Sequence, residues 1–135
     1  AFMRFIAKFD GQVGGQPGDV VLSMDDNGDK VDFLIGGSNR TVITSPSSLP
    51  INSYSHIAGR YDFQAGTMTL FVNGQSVATG SPGQSPQRSS QAWSLGENDP
   101  VTGNPFLDGT LDDTRIYTAS LSDSQINRIY LNTEP

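Results

Sequence analysis

The sequence has no cysteine. Disulfides, thiolate zinc sites and thiol catalysis are therefore excluded together. It has one histidine, His56, and one tryptophan, Trp93. Its glutamates are Glu97 and Glu134, and the second stands beside the C-terminus. No apolar run approaches the roughly 18 residues of a membrane helix, which argues against membrane insertion. Bases are also scarce, with 8 Lys and Arg against 14 Asp and Glu and a formal charge of -6 at pH 7. Nucleic-acid binding needs clustered cations and is disfavoured.

What is abundant is Gly 15 and Pro 8, over an apolar content of only 35%. This composition suits short strands joined by tight turns. A chain of 135 residues is read as one domain, 1–135, able to bury a single core. It opens at Ala1-Phe2-Met3-Arg4-Phe5, already in a strand pattern and with no signal peptide. An excised or processed domain of a larger chain is the expectation.

Met3, Phe5, Ala7 and Phe9 alternate with Arg4 and Lys8, which predicts a half-buried first strand. A Gly-rich loop over 10–19 leads to a second strand over 20–24. Asp25-Asp26-Asn27-Gly28 then makes a hairpin turn. Val31, Phe33 and Ile35 alternate along a third strand, and 41–44 is a fourth. A fifth strand spans 54–61 and a sixth carries Met68, Leu70 and Val72. Asn73-Gly74 is the strongest hairpin signal and returns a seventh strand over 75–79. A polar loop over 80–91 precedes an eighth strand, 92–95, and a second polar loop covers 96–104.

The run from Thr110 to Tyr117 predicts a ninth strand. Leu111, Asp113, Arg115 and Tyr117 would share one face, and Thr110, Asp112, Thr114 and Ile116 the other. Ser122 followed by Gln125 is a capping box opening a short helix, and Leu121 with Ile126 is a candidate staple. The expected fold is all-β, a two-sheet antiparallel jelly-roll sandwich with one short C-terminal helix.

Two stretches carry a family resemblance. Tyr54-Ser-His-Ile-Ala, Tyr61-Asp62 and Gly66-Thr-Met-Thr-Leu-Phe-Val-Asn-Gly-Gln form one. Phe106-Leu-Asp-Gly-Thr-Leu-Asp-Asp-Thr-Arg-Ile-Tyr, with Leu121-Ser and Gln125-Ile126, forms the other. In this order they resemble the central hairpin and closing motif of laminin-G-like jelly rolls of the concanavalin A-like lectin/glucanase superfamily. The family's first strands, one bearing a Trp, have no counterpart here. The resemblance implies a helix that plugs one end of the sandwich. It also implies a structural Ca²⁺ at Asp112, with backbone carbonyls near the N-terminal strand.

A weaker similarity is to pentraxins. Ser94-Leu-Gly-Glu-Asn-Asp99 and Asp26-Asn27 resemble two loops that share calcium there. That similarity implies Glu97, Asp99, Asp26 and Asn27 as further ligands, chemistry that suits an ion wanting six to eight oxygens.

Catalysis has little to stand on. Retaining glucanases on this fold place two carboxylates about 5 Å apart, and no strand here carries paired Glu. His56 has Asp62 or Asp112 as formal triad partners, but no Gly-x-Ser-x-Gly elbow occurs. A lone strand His is read as a packed or surface side chain. Trp93 alternates with Leu95, which favours a buried indole, yet it is the one candidate sugar platform among the tryptophans. Ligand contacts are otherwise expected from the loops, at Asn39, Arg40, Asn98 and Asn104.

The expected function is a non-catalytic extracellular carbohydrate-binding or adhesion module, calcium-dependent, beside neighbouring domains of a larger chain. The partner would be a polysaccharide or other glycan. The alternatives are a polysaccharide-degrading hydrolase or lyase domain, and a structural or protein-interaction spacer.

Overall fold

A computed structural model describes residues 3–9, 19–36, 39–88, 90–97 and 106–133. The strands are β1 (Arg4–Lys8), β2 (Val20–Met24), β3 (Val31–Ile35), β4 (Thr41–Thr44), β5 (Ile57–Asp62), β6 (Thr67–Val72), β7 (Gln75–Gly80) and β8 (Trp93–Leu95). One helix, α1 (Asp123–Thr133), follows. The first sheet has the order β4-β3-β2-β1-β8 and the second β5-β6-β7, with antiparallel pairing throughout. This is the two-sheet jelly-roll sandwich with a short C-terminal helix that the sequence predicts.

Turn chemistry sets the registers. The Asp25 Oδ1 accepts the N–H groups of Gly28, Asp29 and Lys30 at 3.0, 3.1 and 3.2 Å, and Gly28 supplies a φ of 79°. The Asn73-Gly74 turn has φ values of 49° and 73°, the left-handed pair a tight hairpin needs. The Asn73 side chain also accepts the His56 N–H at 2.9 Å, tying the turn to the start of β5.

The core lies between the sheets. Val31, Phe33 and Ile35 of β3 and Ile43 of β4 meet Met68 and Leu70 of β6. The sheets approach so closely that a Cβ at Gly59 would stand 2.8 Å from the Phe33 ring. The second sheet packs over the β4 side, where β4 meets β6 and β7.

The other end of the inner face is different. Strand register puts Trp93 on the same face as Lys8, Val20 and Ile35, and Leu95 on that of Ile6, Leu22 and Phe33. That is the core face, yet Trp93 is 41% and Leu95 54% exposed. Among the described residues, three strands face five.

Helix α1 does not plug an end of the sandwich. It seats on the outer face of the second sheet. A Cβ at Gly74 would meet Asn127 and Tyr130, and Ile126 is buried. Arg60, on the outer face of β5, donates to the Leu121 carbonyl at 3.0 Å and to Asp123. Its guanidinium lies 5.0 Å from the centre of the fully buried Phe71 ring. The capping box forms as expected: Gln125 N–H donates to Ser122 Oγ, and Ser122 N–H to Gln125 Oε1.

The ninth strand is a correction. Residues 108–120 form no strand and all are exposed. A strand pattern becomes a strand only when a neighbour takes its backbone groups, and among the described residues β5 pairs with β6 alone. Asp113 adopts a φ of 49°. Its carboxylate accepts two hydrogen bonds from Arg115 at 2.8 and 2.7 Å, a local clip that replaces a sheet ladder.

Candidate functional site

An open cavity of about 530 Å³ lies along β8, at the edge of the first sheet. Its wall is the edge strand β8 and the chain on either side of it, from Gln91 to Glu97, closed by Phe9 and Phe106. Sequence positions this site through three local features. Lys8 pairs with Trp93 and Ile6 with Leu95, so β1 fixes which way the indole points. Gly96 has a φ of 61° and turns the chain out of the sheet after Leu95. Its N–H donates to the Phe5 carbonyl, and its own carbonyl accepts the Leu107 N–H at 3.2 Å, which brings Phe106 round to the cavity.

The resulting chemistry is mixed. Trp93, Leu95 and Phe106 present apolar surface, with Phe106 66% exposed. Lys8 Nζ stands 5.9 Å from the centre of the Trp93 ring, a cation over an aromatic face. Glu97 brings a carboxylate to the lining, and Ser94 a hydroxyl that donates to the Ala7 carbonyl. Such a site can stack a ring and accept hydrogen bonds from hydroxyl groups.

Of the residues singled out by sequence, Trp93 and Glu97 meet here. Trp93 is exposed where burial was expected. Its alternation with Leu95 marked the inward face correctly, and the second sheet leaves that part of the face bare. Phe106, Leu95 and Phe9 were not foreseen as site residues; long-range pairing and the Gly96–Leu107 contact bring them to one place.

Asn39 and Arg40 are exposed beside the start of β4. Four strand spacings, roughly 19 Å, separate β4 from β8, so these two do not join the cavity. Asn98, Asp99 and Asn104 lie outside the described residues.

The carboxylates expected to hold calcium are scattered. Asp112 is exposed on the closing segment, and its neighbour Asp113 is engaged by Arg115. Asp26 and Asn27 sit exposed at the tip of the β2–β3 turn. Glu97 follows β8, with β1 between it and β2. Among the described residues no group of three or more carboxylate or imidazole side chains is placed to hold a metal.

His56 is half-buried just before β5, against α1. Its ring lies 5.9 Å from that of Tyr130, tilted by 47°. Burial, helped by the nearby Arg115 charge and opposed by Asp113, holds its pKa below the ordinary 6.5. Asp62, a formal triad partner, has its Oδ1 occupied by the Gln64 and Ala65 N–H groups.

Solved structures share this architecture. The carbohydrate-binding module CBM40 of a Ruminococcus gnavus IT-sialidase superposes with a TM-score of 0.72 when bound to α2,3-sialyllactose and 0.71 without it. Each is 18% identical over 96% of this chain and 74% of that one. An S-layer domain-containing protein of Clostridium thermocellum is 22% identical over 96% of this chain and 63% of its own, with a TM-score of 0.47. At 18% identity the likeness to the CBM40 structures is one of fold. No curated protein matches the sequence. The family profile of the concanavalin A-like lectin/glucanases superfamily matches residues 2–127, and the chain belongs to that laminin-G family.

Proposed function

We propose that the protein is a non-catalytic carbohydrate-binding module of a secreted or surface protein, and that it holds its glycan in the Trp93 cavity. The observation that carries this reading is the exposed indole on the inner sheet face, over about 530 Å³ of open space with Glu97 and Phe106 beside it. A pyranose has an apolar face of C–H groups and an equatorial belt of hydroxyls. Trp93 and Phe106 offer surface for the first, while Glu97 accepts hydrogen bonds from the second in charge-assisted form. The Ruminococcus gnavus module of the same fold was solved with α2,3-sialyllactose, which supports glycans as the ligand class.

A glycosidase reading has less support. Retaining and inverting enzymes need two carboxyl groups, about 5–5.5 Å or 6.5–9.5 Å apart. The cavity's described lining brings one, Glu97. Among the described residues no helix is long and apolar enough to cross a membrane; placement outside the cell is part of the proposal.

The test is a glycan array with neutral and sialylated oligosaccharides, run with the parent and with Trp93→Ala. Binding by the parent that is lost in the variant is the expected result. Equal binding by both would remove the site, and turnover of any oligosaccharide would overturn the non-catalytic reading. Repeating the array in calcium and in EDTA measures the calcium dependence that the family resemblance implies.

A further inference from the structure

A second cavity lies between the closing segment and α1. It measures about 280 Å³. Gln125, Arg128, Ile129 and Asn132 line it from one stripe of the helix, spaced three, four and seven residues apart. Arg115 and Tyr117 face them from the closing segment, and Leu121 joins the two.

The charge of this groove runs against that of the chain. The protein is at -6, and it has only 8 basic residues, yet two guanidinium groups line the groove, one of them paired with Asp113 just outside the lining. Arg115 gives two of its donors to Asp113 and keeps others. Arg128 is exposed, and among the described residues it has no hydrogen-bond or ion-pair partner. Two guanidinium groups side by side in a concave site, one with no described partner, make a site suited to an anion.

We infer that the groove between residues 115–117 and α1 binds the carboxylate of an acidic sugar, of the uronic acid class. The planar guanidinium fork matches a carboxylate in bidentate geometry. Tyr117 and Ile129 offer apolar surface to a ring, and the Asn132 amide can serve its hydroxyls. The volume suits one pyranose ring rather than an extended peptide. The inference is independent of the Trp93 cavity, which contains no arginine among its lining residues.

The test follows amide chemical shifts on titration with D-glucuronate and, separately, D-glucose and acetate. Glucuronate is expected to shift resonances of 115–132 and to bind at least fivefold more tightly than either control. Arg128→Gln should weaken it at least fivefold, Arg128→Lys less, and 500 mM NaCl more than 50 mM. Asn132→Asp, which leaves both arginines in place and adds a carboxylate, should weaken it likewise. Trp93→Ala should leave it unchanged. The inference is overturned if glucuronate binds Arg128→Gln as tightly as the parent, if acetate or glucose matches it, or if a poly-glutamate peptide binds the groove more tightly than glucuronate.

Discussion

Trp93 and Asp32 show how one side chain can be right in pattern and surprising in consequence. The alternation of Trp93 and Leu95 marks a core-facing strand, and register puts both on that face. What the sequence leaves unsaid is how far the opposite sheet extends, because coverage is set by strands hundreds of atoms away. Trp93 is 41% exposed, so only part of the indole packs against the protein. Trp93→Ala should cost about 1–2 kcal/mol of stability, less than the roughly 3–5 kcal/mol of a core Trp, while glycan affinity should fall at least tenfold, about 1.4 kcal/mol. Urea denaturation and titration calorimetry measure the two; a large loss of stability would mean the indole is core after all.

Asp32 is the converse, a carboxylate almost fully buried in β3, 7% exposed. Burial pushes its pKa above the ordinary 3.8. The Thr44 hydrogen bond at 2.6 Å opposes the rise, and the charges of Asp25 and Asp26 add to it. The sign follows from linkage. The folded state holds this proton more tightly than the unfolded chain, so the favourable contribution is present below pH 3.8 and is lost as pH rises through the raised folded value. At neutral pH the ionised group is a cost. Asp32→Asn keeps an acceptor for Thr44 and should raise Tm by a few degrees at pH 7, with the gain shrinking towards pH 4. A constant difference across that range would show that desolvation is not its cause.

At the scale of elements, hairpins and the helix start were the most legible features, because their information is local. Asn73-Gly74, Asp25 to Gly28 and the Ser122–Gln125 box each act within a few residues. The run 110–117 was not legible in the same way. Its alternation is real, but a strand needs a partner, and no feature inside eight residues reports whether β5 offers its free edge to that run or to nothing. The seat of α1 depends on a similar long-range contact, and here a glycine reveals it. Gly74 combines a φ of 73° with a Cβ position 2.5 Å from Asn127 Oδ1 and 2.9 Å from Tyr130 Cδ1. An L-residue there costs about 1–2 kcal/mol for the left-handed backbone alone, and the methyl must also push the helix away. Gly74→Ala should destabilise the domain by roughly 2–3 kcal/mol. Chemical denaturation gives the number, and a loss below 0.5 kcal/mol would mean α1 is not seated on this turn.

For the whole molecule, the imbalance of five strands against three decides where stability and binding lie. β6 is central in its sheet, with Met68, Leu70 and Phe71 all fully buried and α1 over its outer face. β8 is three residues long, pairs among the described residues with β1 alone and borders the open cavity. Local opening is cheap where few apolar contacts must break, and costs the full unfolding free energy where many do. Amide hydrogen exchange should therefore divide the chain. β3 and β6 should exchange only by global unfolding. The amides of 93–96 and 107–121 should exchange at least a hundredfold faster. A glycan seated on Trp93 must be released before β8 can open, so saturating ligand should slow exchange at 94–96 while leaving 113–117 as it was. Glucuronate in the helix groove should do the reverse. Equal protection of β8 and β6 in the free protein would mean that the inner face is covered in solution, and the Trp93 cavity would then lose its claim to the ligand.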